Sequence, residues 1–489
     1  MTDMNLRTRA GALVGAAVLG ALCAVTGTAQ AQSAVGPVVA PADGSITYKG
    51  ITLYGIVDVG VQYMQHGAPF SDYFMASSSD IVQKFSNHSA TGVTSSNLSQ
   101  SRVGLMGIEP LGFGDVQGVF RVETYFNPST GNISDALKSI TQNNGKTNSA
   151  TCATVTATNG GCQTTNLDSS IAGELFEQAY VGLSSATYGS ITFGRQNTLL
   201  ADGISKYDPN NGSQAFSLIG LSGTAAGGGD TQDRRLDNSV KYVQGVGPIH
   251  FGGQYKFSQS YGGANTAVEA NIGGEMMGLS VDAYYVYIRD AIAAGTLSAA
   301  QLAVSTAAPY SLPSDKSVSG TVSDNTSMEV MALYNVPAIP LKLYGGYEYI
   351  YFKNPTNPLA IGFDDIGGYK LGAVNNNAFA HEKILQVFWA GAKYTYAKKL
   401  DLTAAYYGYH QSNYSATTAA LDGCAVNDIS AGTCSGNTQV VSLDADYRWT
   451  KRFDTYAGVM YSKVNGGQAN GYVFYTFSID PTIGFRFRF

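Results

Sequence analysis

Long apolar runs are the first thing missing from this sequence. Past residue 31, no stretch approaches the roughly 20 apolar residues that a membrane-crossing helix needs, so a helical membrane protein is excluded. Charge is scarce as well: Asp, Glu, Lys and Arg make up 13% of 489 residues, about half the usual globular share. The net charge is −6 with no basic block, which argues against a nucleic-acid partner. The five histidines (His66, His88, His250, His381, His410) are scattered, without metal-ligand spacing. No cofactor is expected.

Cysteine is also sparse. Cys23 lies in an export signal: Arg7 and Arg9 give a basic start, "ALVGAAVLGALCAV" is a short apolar run, and "AQA" ends at Ala31 as a small-residue cleavage site. Leu22 is too bulky for a lipoprotein site before Cys23, so lipidation is not expected. Four cysteines remain in the mature chain: Cys152 with Cys162, and Cys424 with Cys434, each pair ten residues apart in a polar stretch. Four thiols allow three pairings. The matched spacing and an oxidising compartment favour two local disulfides, each contributing about 2–3 kcal/mol by the chain-entropy account.

Glycine (58) and tyrosine (32), by contrast, are abundant. After a short leader over 32–50, strands of alternating character recur to the chain end. In "ITLYGIVDVGVQYMQ", Ile51, Leu53, Val57, Val59 and Val61 share one face, and Thr52, Tyr54, Asp58 and Gln62 the other. Further strands are expected near 98–109, 115–127, 174–185, 278–290 and 327–336, among others, sixteen in all. Their connections alternate between short ("PLGFG", "SATYG", "GVGP", "PAIP", "AKK", "TKR") and long (128–173, 199–236, 291–326, 354–381, 413–436). A sandwich or propeller gives no reason for that rhythm, whereas a membrane barrel has tight periplasmic turns at one rim and large extracellular loops at the other. Backbone groups inside a bilayer must all be paired, which leaves a closed barrel.

The predicted fold is therefore all-β, a 16-stranded antiparallel transmembrane barrel over 51–489, apolar outside and polar within. Its partner is a lipid bilayer. Tyrosines expected at strand ends, in the headgroup layer, are Tyr63, Tyr125, Tyr180, Tyr287, Tyr349, Tyr351, Tyr394, Tyr396, Tyr406, Tyr407 and Tyr461. The terminal "TIGFRFRF" places Ile483, Phe485, Phe487 and Phe489 towards lipid and Arg486 and Arg488 inward. Order at the last residue follows if the final strand pairs with the first and removes the sheet edge.

Several stretches carry a family resemblance: "ITLYGIVDVGVQ", "SRVGLMGIEPLGFGDVQGVFRVE", "LFEQAYVGLSSATYGSITFGRQN", "DNSVKYV", "FWAGAKYTYAKKLDLTAAYYGYH", "ADYRWTKRFDTYAGVMYS" and the terminal Phe. They spread over nearly the whole mature chain, which resembles the Gram-negative general-diffusion porins of β-proteobacterial type. The resemblance implies a homotrimer in the outer membrane and a third loop folded inward to narrow a water-filled pore for ions and small hydrophilic solutes. It also implies a C-terminal aromatic signal (Ile483, Phe485, Phe487, Phe489) read by the insertion machinery.

Carried over by position, Arg102 in "SRVGLMG" and Arg195 in "FGRQN" become wall arginines of the constriction. Neutralising them is expected to shift selectivity towards cations. A third arginine implied for "LFEQAYVGLS" is absent, and Arg121, in register with Gln117 and Glu123, is its substitute. Loop three (199–236) lacks the Pro-Glu-Phe-Gly-Gly motif of enterobacterial relatives and carries Asp202, Lys206, Asp208, Asp230, Asp233, Arg234 and Arg235. Tyr54, Asp58 and Glu123 are expected on the lumen wall. Opposed charges across a narrow lumen would bias ion passage.

Other functions leave weaker marks. "YHQSN" puts His410 and Ser412 on one strand face beside Asn413, a faint hydrolase pattern whose asparagine is not spaced to orient the imidazole. A solute-selective channel, or an adhesin acting through the long loops, would use the same barrel. A soluble secreted β-protein requires the strand count to be illusory.

Overall fold

The computed structural model describes residues 46–67, 81–82, 88–129, 131, 176–221, 234–258, 266–296, 318–356, 365–366, 369–375, 379–414, 434–469, 472 and 474–489. Among the described residues, sixteen barrel strands run antiparallel in chain order. The first five are β1 (Ile51–Met64), β2 in two pieces (Ala90–Ser95 and Arg102–Pro110), β3 (Gln117–Tyr125), β4 (Gln178–Ser185) and β5 (Gly189–Asn197). Next come β6 (Arg235–Val246), β7 (Ile249–Lys256), β8 (Ala267–Met276), β9 (Leu279–Thr296), β10 (Val318–Asn335) and β11 (Leu341–Lys353). The last five are β12 (Lys383–Tyr396), β13 (Leu400–Gln411), β14 (Gly436–Arg448), β15 (Phe453–Gly466) and β16 (Phe477–Arg488). β16 pairs with β1, Ile56 opposite Arg488 and Gln62 opposite Thr482, so the sheet closes without a free edge.

Period-two alternation decides which way each side chain points. On β16, Ile483 and Phe485 are 58% and 57% exposed, whereas Asp480, Thr482 and Arg486 are buried. Exposed apolar side chains recur on the outer face of strand after strand, among them Val61, Leu105, Val181, Phe193, Ile272, Leu343 and Leu443. They meet lipid in a transmembrane barrel. Among the described residues, no helix is long and apolar enough to cross a membrane.

The chain end is fixed by its backbone. The Phe489 N–H donates to the Gly55 carbonyl at 3.0 Å, and the Gly55 N–H donates to the Phe489 carbonyl at 2.8 Å. A Cβ on Gly55 would lie 2.4 Å from Phe489 Cζ, so glycine is what lets the terminal ring lie on β1.

Several expectations need correction. The strand expected at 98–109 is interrupted, because residues 96–101 leave the ladder. Asp58 on β1 accepts from the N–H groups of Leu98 (2.9 Å) and Ser99 (2.7 Å), replacing the missing strand partners of the break. β9 and β10 extend beyond 278–290 and 327–336. Within the 32–50 leader, Ile46–Tyr48 pairs with the start of β1, an addition to the expected strands. Tyr125 and Tyr407 are buried inside the barrel, and Tyr180, opposite Arg121 in the ladder, is on the inner face with them.

The inner wall is not polar throughout either. On β9 to β12 it carries Val286, Ile288, Met331, Ile350, Phe352, Leu385, Val387 and Trp389, in one buried cluster with loop-three residues Leu199, Leu200, Ile204, Tyr207, Leu218 and Ile219. That wall faces a packed segment rather than water, so it obeys the rule for a core and not the rule for a lumen.

Candidate functional site

Among the described residues, the segment after β5 holds two helices, α1 (Leu199–Tyr207) and α2 (Leu218–Leu221). Thr198 caps α1: its side chain accepts from the Ala201 N–H at 3.0 Å, satisfying one otherwise orphaned donor. The helix ends at Asp208, where Pro209 follows and disfavours another helical turn. Gly203 lets α1 press on the wall, because a Cβ there would lie 2.4 Å from Tyr284 Oη.

Polar contacts then tie the segment across the barrel. Tyr207 Oη donates to Asp282 on β9, and Trp389 Nε1 on β12 donates to the Tyr207 carbonyl at 3.1 Å. Tyr407 Oη on β13 donates to Asp208 Oδ1 at 2.6 Å, and the Gly212 N–H donates to Asp208 Oδ2 at 2.6 Å. Asn210 Nδ2 donates to Ser442 Oγ on β14 at 3.0 Å. Ser213 Oγ donates to the Asn97 carbonyl at 2.7 Å, and the Phe216 ring meets Tyr456 on β15 edge-on at 6.4 Å. Loop three therefore crosses the interior from β5 to β15, anchored at each step. Burial raises the Asp208 carboxyl from its usual value, against the opposing pull of its hydrogen bonds to Tyr407 and Gly212. Burial, reinforced by Asp282, raises the Tyr207 hydroxyl.

Beside α1, on the β1–β3 side, lies a cavity of about 290 Å³. Its charged lining is Arg102, Arg121, Glu123, Arg234, Arg235 and Arg488; Tyr54, Tyr125 and Ser205 of α1 complete much of the rest. Five guanidinium groups thus line it with one side-chain carboxylate, beside the terminal Phe489. Some of that charge is compensated. Arg102 is 3.6 Å from Glu123, Arg235 is 3.1 Å from Glu177, and Arg488 is 2.7 Å from Asp454. Arg121 lies over the Tyr54 ring at 5.6 Å, and neither it nor Arg234 has a carboxylate within salt-bridge distance among the described residues. The Nε atoms of Arg102, Arg121 and Arg235 are buried without a hydrogen-bond partner. The site is a concentrated positive patch, enclosed enough for screening to weaken it little.

The structure brings Arg102, Arg121, Arg234 and Arg235 together with Tyr54 and Glu123. Tyr54 Oη donates to Glu123 at 2.8 Å. Arg195 sits at a register irregularity between Gly194 and Gln196, is paired to Asp237 and lies 3.8 Å from Glu177. Asp202, in the first turn of α1, is paired to Lys241. Asp208 and Asp58 are fully buried and hold backbone in place. Asp230 and Asp233 lie outside the described residues, as do Cys152, Cys162 and Cys424; Cys434 is disulfide-bonded. His410 Nδ1 is 2.7 Å from Asn437 Oδ1, but the Ser412 hydroxyl accepts from the Ile384 N–H. Among the described residues, no three His, Cys, Asp or Glu side chains gather as a metal site.

Sequence reading missed the anchors Tyr207, Trp389 and Tyr407, and Arg488 as a member of the cluster. Strand parity would have turned Trp389 and Tyr407 inward, but nothing local tells which loop atom each would meet.

Comparison with known proteins places this architecture. The sequence model of a family described as Gram-negative porin matches residues 16–467. An outer membrane porin protein of Bordetella pertussis is 29% identical over 210 residues, covering 42% of this chain and 43% of that protein. The match thus spans less than half of the relative's length. Among solved structures, the anion-selective porin from Comamonas acidovorans superposes with a TM-score of 0.54 at 18% identity, over 90% of this chain and 99% of that one. The outer-membrane-expressed OmpT of Vibrio cholerae gives 0.52 at 15% identity, over 91% and 100%. A trimer form of OmpT folded in vitro gives 0.51 at 15%, over 90% and 99%.

Proposed function

The chain belongs to the Gram-negative porin family, and from that premise we propose that it is an outer-membrane channel for passive diffusion of small hydrophilic solutes, with a preference for anions. One observation carries the anion preference: the arginine-lined cavity beside α1, where Arg121 and Arg234 lack a carboxylate partner among the described residues. Solute enters the barrel, meets loop three, and passes where the lumen is narrowed between α1 and the arginines of β2 and β3. There the positive patch raises the local concentration of anions and lowers that of cations. No covalent step is involved, and the chain is not an enzyme.

The family and the trimeric form of the Vibrio structure support a homotrimer as the working assembly. The outward residues Ile483, Phe485 and Phe487, with Phe489, are the segment we assign to recognition by the insertion machinery. The paired spacing of the mature cysteines, with Cys434 disulfide-bonded, supports a Cys424–Cys434 link and a second between Cys152 and Cys162. Asp202 and Asp208 we assign to holding loop three, together with Lys241 and Tyr407.

Proteoliposome swelling tests the reading. Uptake of neutral sugars should rise linearly with concentration and fall off with size. Saturating uptake of a single sugar would favour a solute-selective channel instead.

A further inference from the structure

The lipid-facing surface carries a feature that the channel does not use. On the outer face of β12 to β15, four alanines form a low floor: Ala392 opposite Ala404, and Ala445 opposite Ala457. Tyr394, Leu402 and Leu443, exposed at 40%, 44% and 53%, stand as its walls. The result is an apolar groove of about 490 Å³. On β16 the same surface is covered by larger side chains, Ile483, Phe485 and Phe487.

The groove opens towards the periplasmic rim. Leu402 is three residues from Lys399, so the floor lies about 10 Å from the turn at strand rise. Two turns meet there. "AKK" (397–399) joins β12 to β13, "TKR" (450–452) joins β14 to β15, and the Arg448 N–H donates to the Lys399 carbonyl at 2.8 Å. They present Lys398, Lys399, Lys451 and Arg452, all exposed. Arg448 is taken up by Asp401, whereas Lys398, Lys399 and Lys451 have no acidic partner among the described residues. Lys398 also stands at a positive φ of 61°, after Ala397 at 48°, a tight hairpin conformation that glycine or asparagine usually occupies. Tyr396 and Trp449, 61% and 59% exposed, mark the level where aromatic rings meet headgroups.

We infer that β12 to β15 carry a site for one anionic phospholipid of the periplasmic leaflet. An acyl chain lies on the alanine floor, and the phosphate of the headgroup is held by the lysines of the two turns. This rests on the barrel reading. Charge complementarity selects the occupant. A neighbouring protein surface would not need an apolar groove that runs into a ring of lysines at headgroup depth, whereas an anionic lipid has both parts in that order. Small floor residues admit close van der Waals packing of a chain, which is what distinguishes a bound lipid from bulk lipid where no hydrophobic gain is available.

The chain supplies its own reporter. It has two tryptophans: Trp389, buried inside the barrel, and Trp449, beside the groove, whose Nε1 donates to Thr455 Oγ1 at 3.2 Å. The full-length protein is inserted into vesicles of equal phosphatidylglycerol and phosphatidylcholine, with one or the other brominated near the headgroup. Brominated phosphatidylglycerol is expected to quench Trp449 about twofold more than brominated phosphatidylcholine. Lys398→Gln/Lys399→Gln/Lys451→Gln should abolish the difference. So should Ala404→Phe/Ala445→Phe, which fills the groove and leaves the lysines intact. Single-channel conductance should be unchanged in both variants, reporting an intact barrel. Equal quenching by the two lipids in the parent chain overturns the site. A preference that survives the filled groove also overturns it, because surface charge alone would then explain the enrichment. A chain without heat-dependent gel migration would instead remove the barrel on which the site depends.

Discussion

At the scale of single residues, function follows from which charges are left uncompensated. Arg195 and Asp202 have partners of opposite sign, and Arg486 is held by Asp446 at 2.8 Å and by Asp454 at 2.9 Å. Arg121 and Arg234 are the exceptions among the described cavity residues. Arg121→Gln/Arg234→Gln is therefore expected to lower the chloride-to-potassium permeability ratio by at least about twofold. Arg195→Gln, which strips a charge already met by Asp237, should change it far less. Reversal potentials in a salt gradient separate the two variants. Asp208 gives a second prediction. Its folded-state value lies above the unfolded one, chiefly through burial, so the native chain holds that proton more tightly. Its contribution is fully present below the ordinary aspartate value of about 3.9 and is lost as pH rises through the raised value. Amide exchange in 208–217, corrected for intrinsic rate, should slow on acidification, and Asp208→Asn should remove the dependence.

At the scale of elements, strand and loop obey different amounts of local information. Alternation in "ITLYGIVDVGVQYMQ" and "TIGFRFRF" is enough to set the two faces of β1 and of the final part of β16, because one residue of slip would reverse both faces. The break in β2 was not legible, since it depends on Asp58, some 40 residues away, accepting from Leu98 and Ser99. Nor was the path of loop three. Its contact between Asp208 and Tyr407 joins positions 199 apart in sequence. The apolar inner wall of β9 to β12 contradicts the simple polar-lumen pattern for the same reason, because its cover comes from a distant segment. The close seat of α1 is open to test. Gly203→Ala places a methyl 2.4 Å from Tyr284 Oη and should push α1 off the β9 wall towards the arginines, narrowing the channel and lowering conductance. Adding Tyr284→Phe should recover part of the loss, a non-additivity expected of residues in direct contact.

At the scale of the whole molecule, a closed sheet turns a chain of near-zero mean hydropathy into an object oily outside and wet within. Closure rests on a few residues at the seam. Gly55→Val drives a side chain into the space of the Phe489 ring, and deletion of Phe489 removes both backbone bonds to Gly55. Either change should reduce the heat-resistant folded band on a gel, the deletion by slowing assembly as well. The most direct test of the account is the current through the purified protein in a planar lipid bilayer with a potassium chloride gradient across it. An arginine-faced, water-filled passage predicts steady ohmic current whose reversal potential lies on the chloride side of zero. A cation-selective current, or no current from inserted protein, would contradict it.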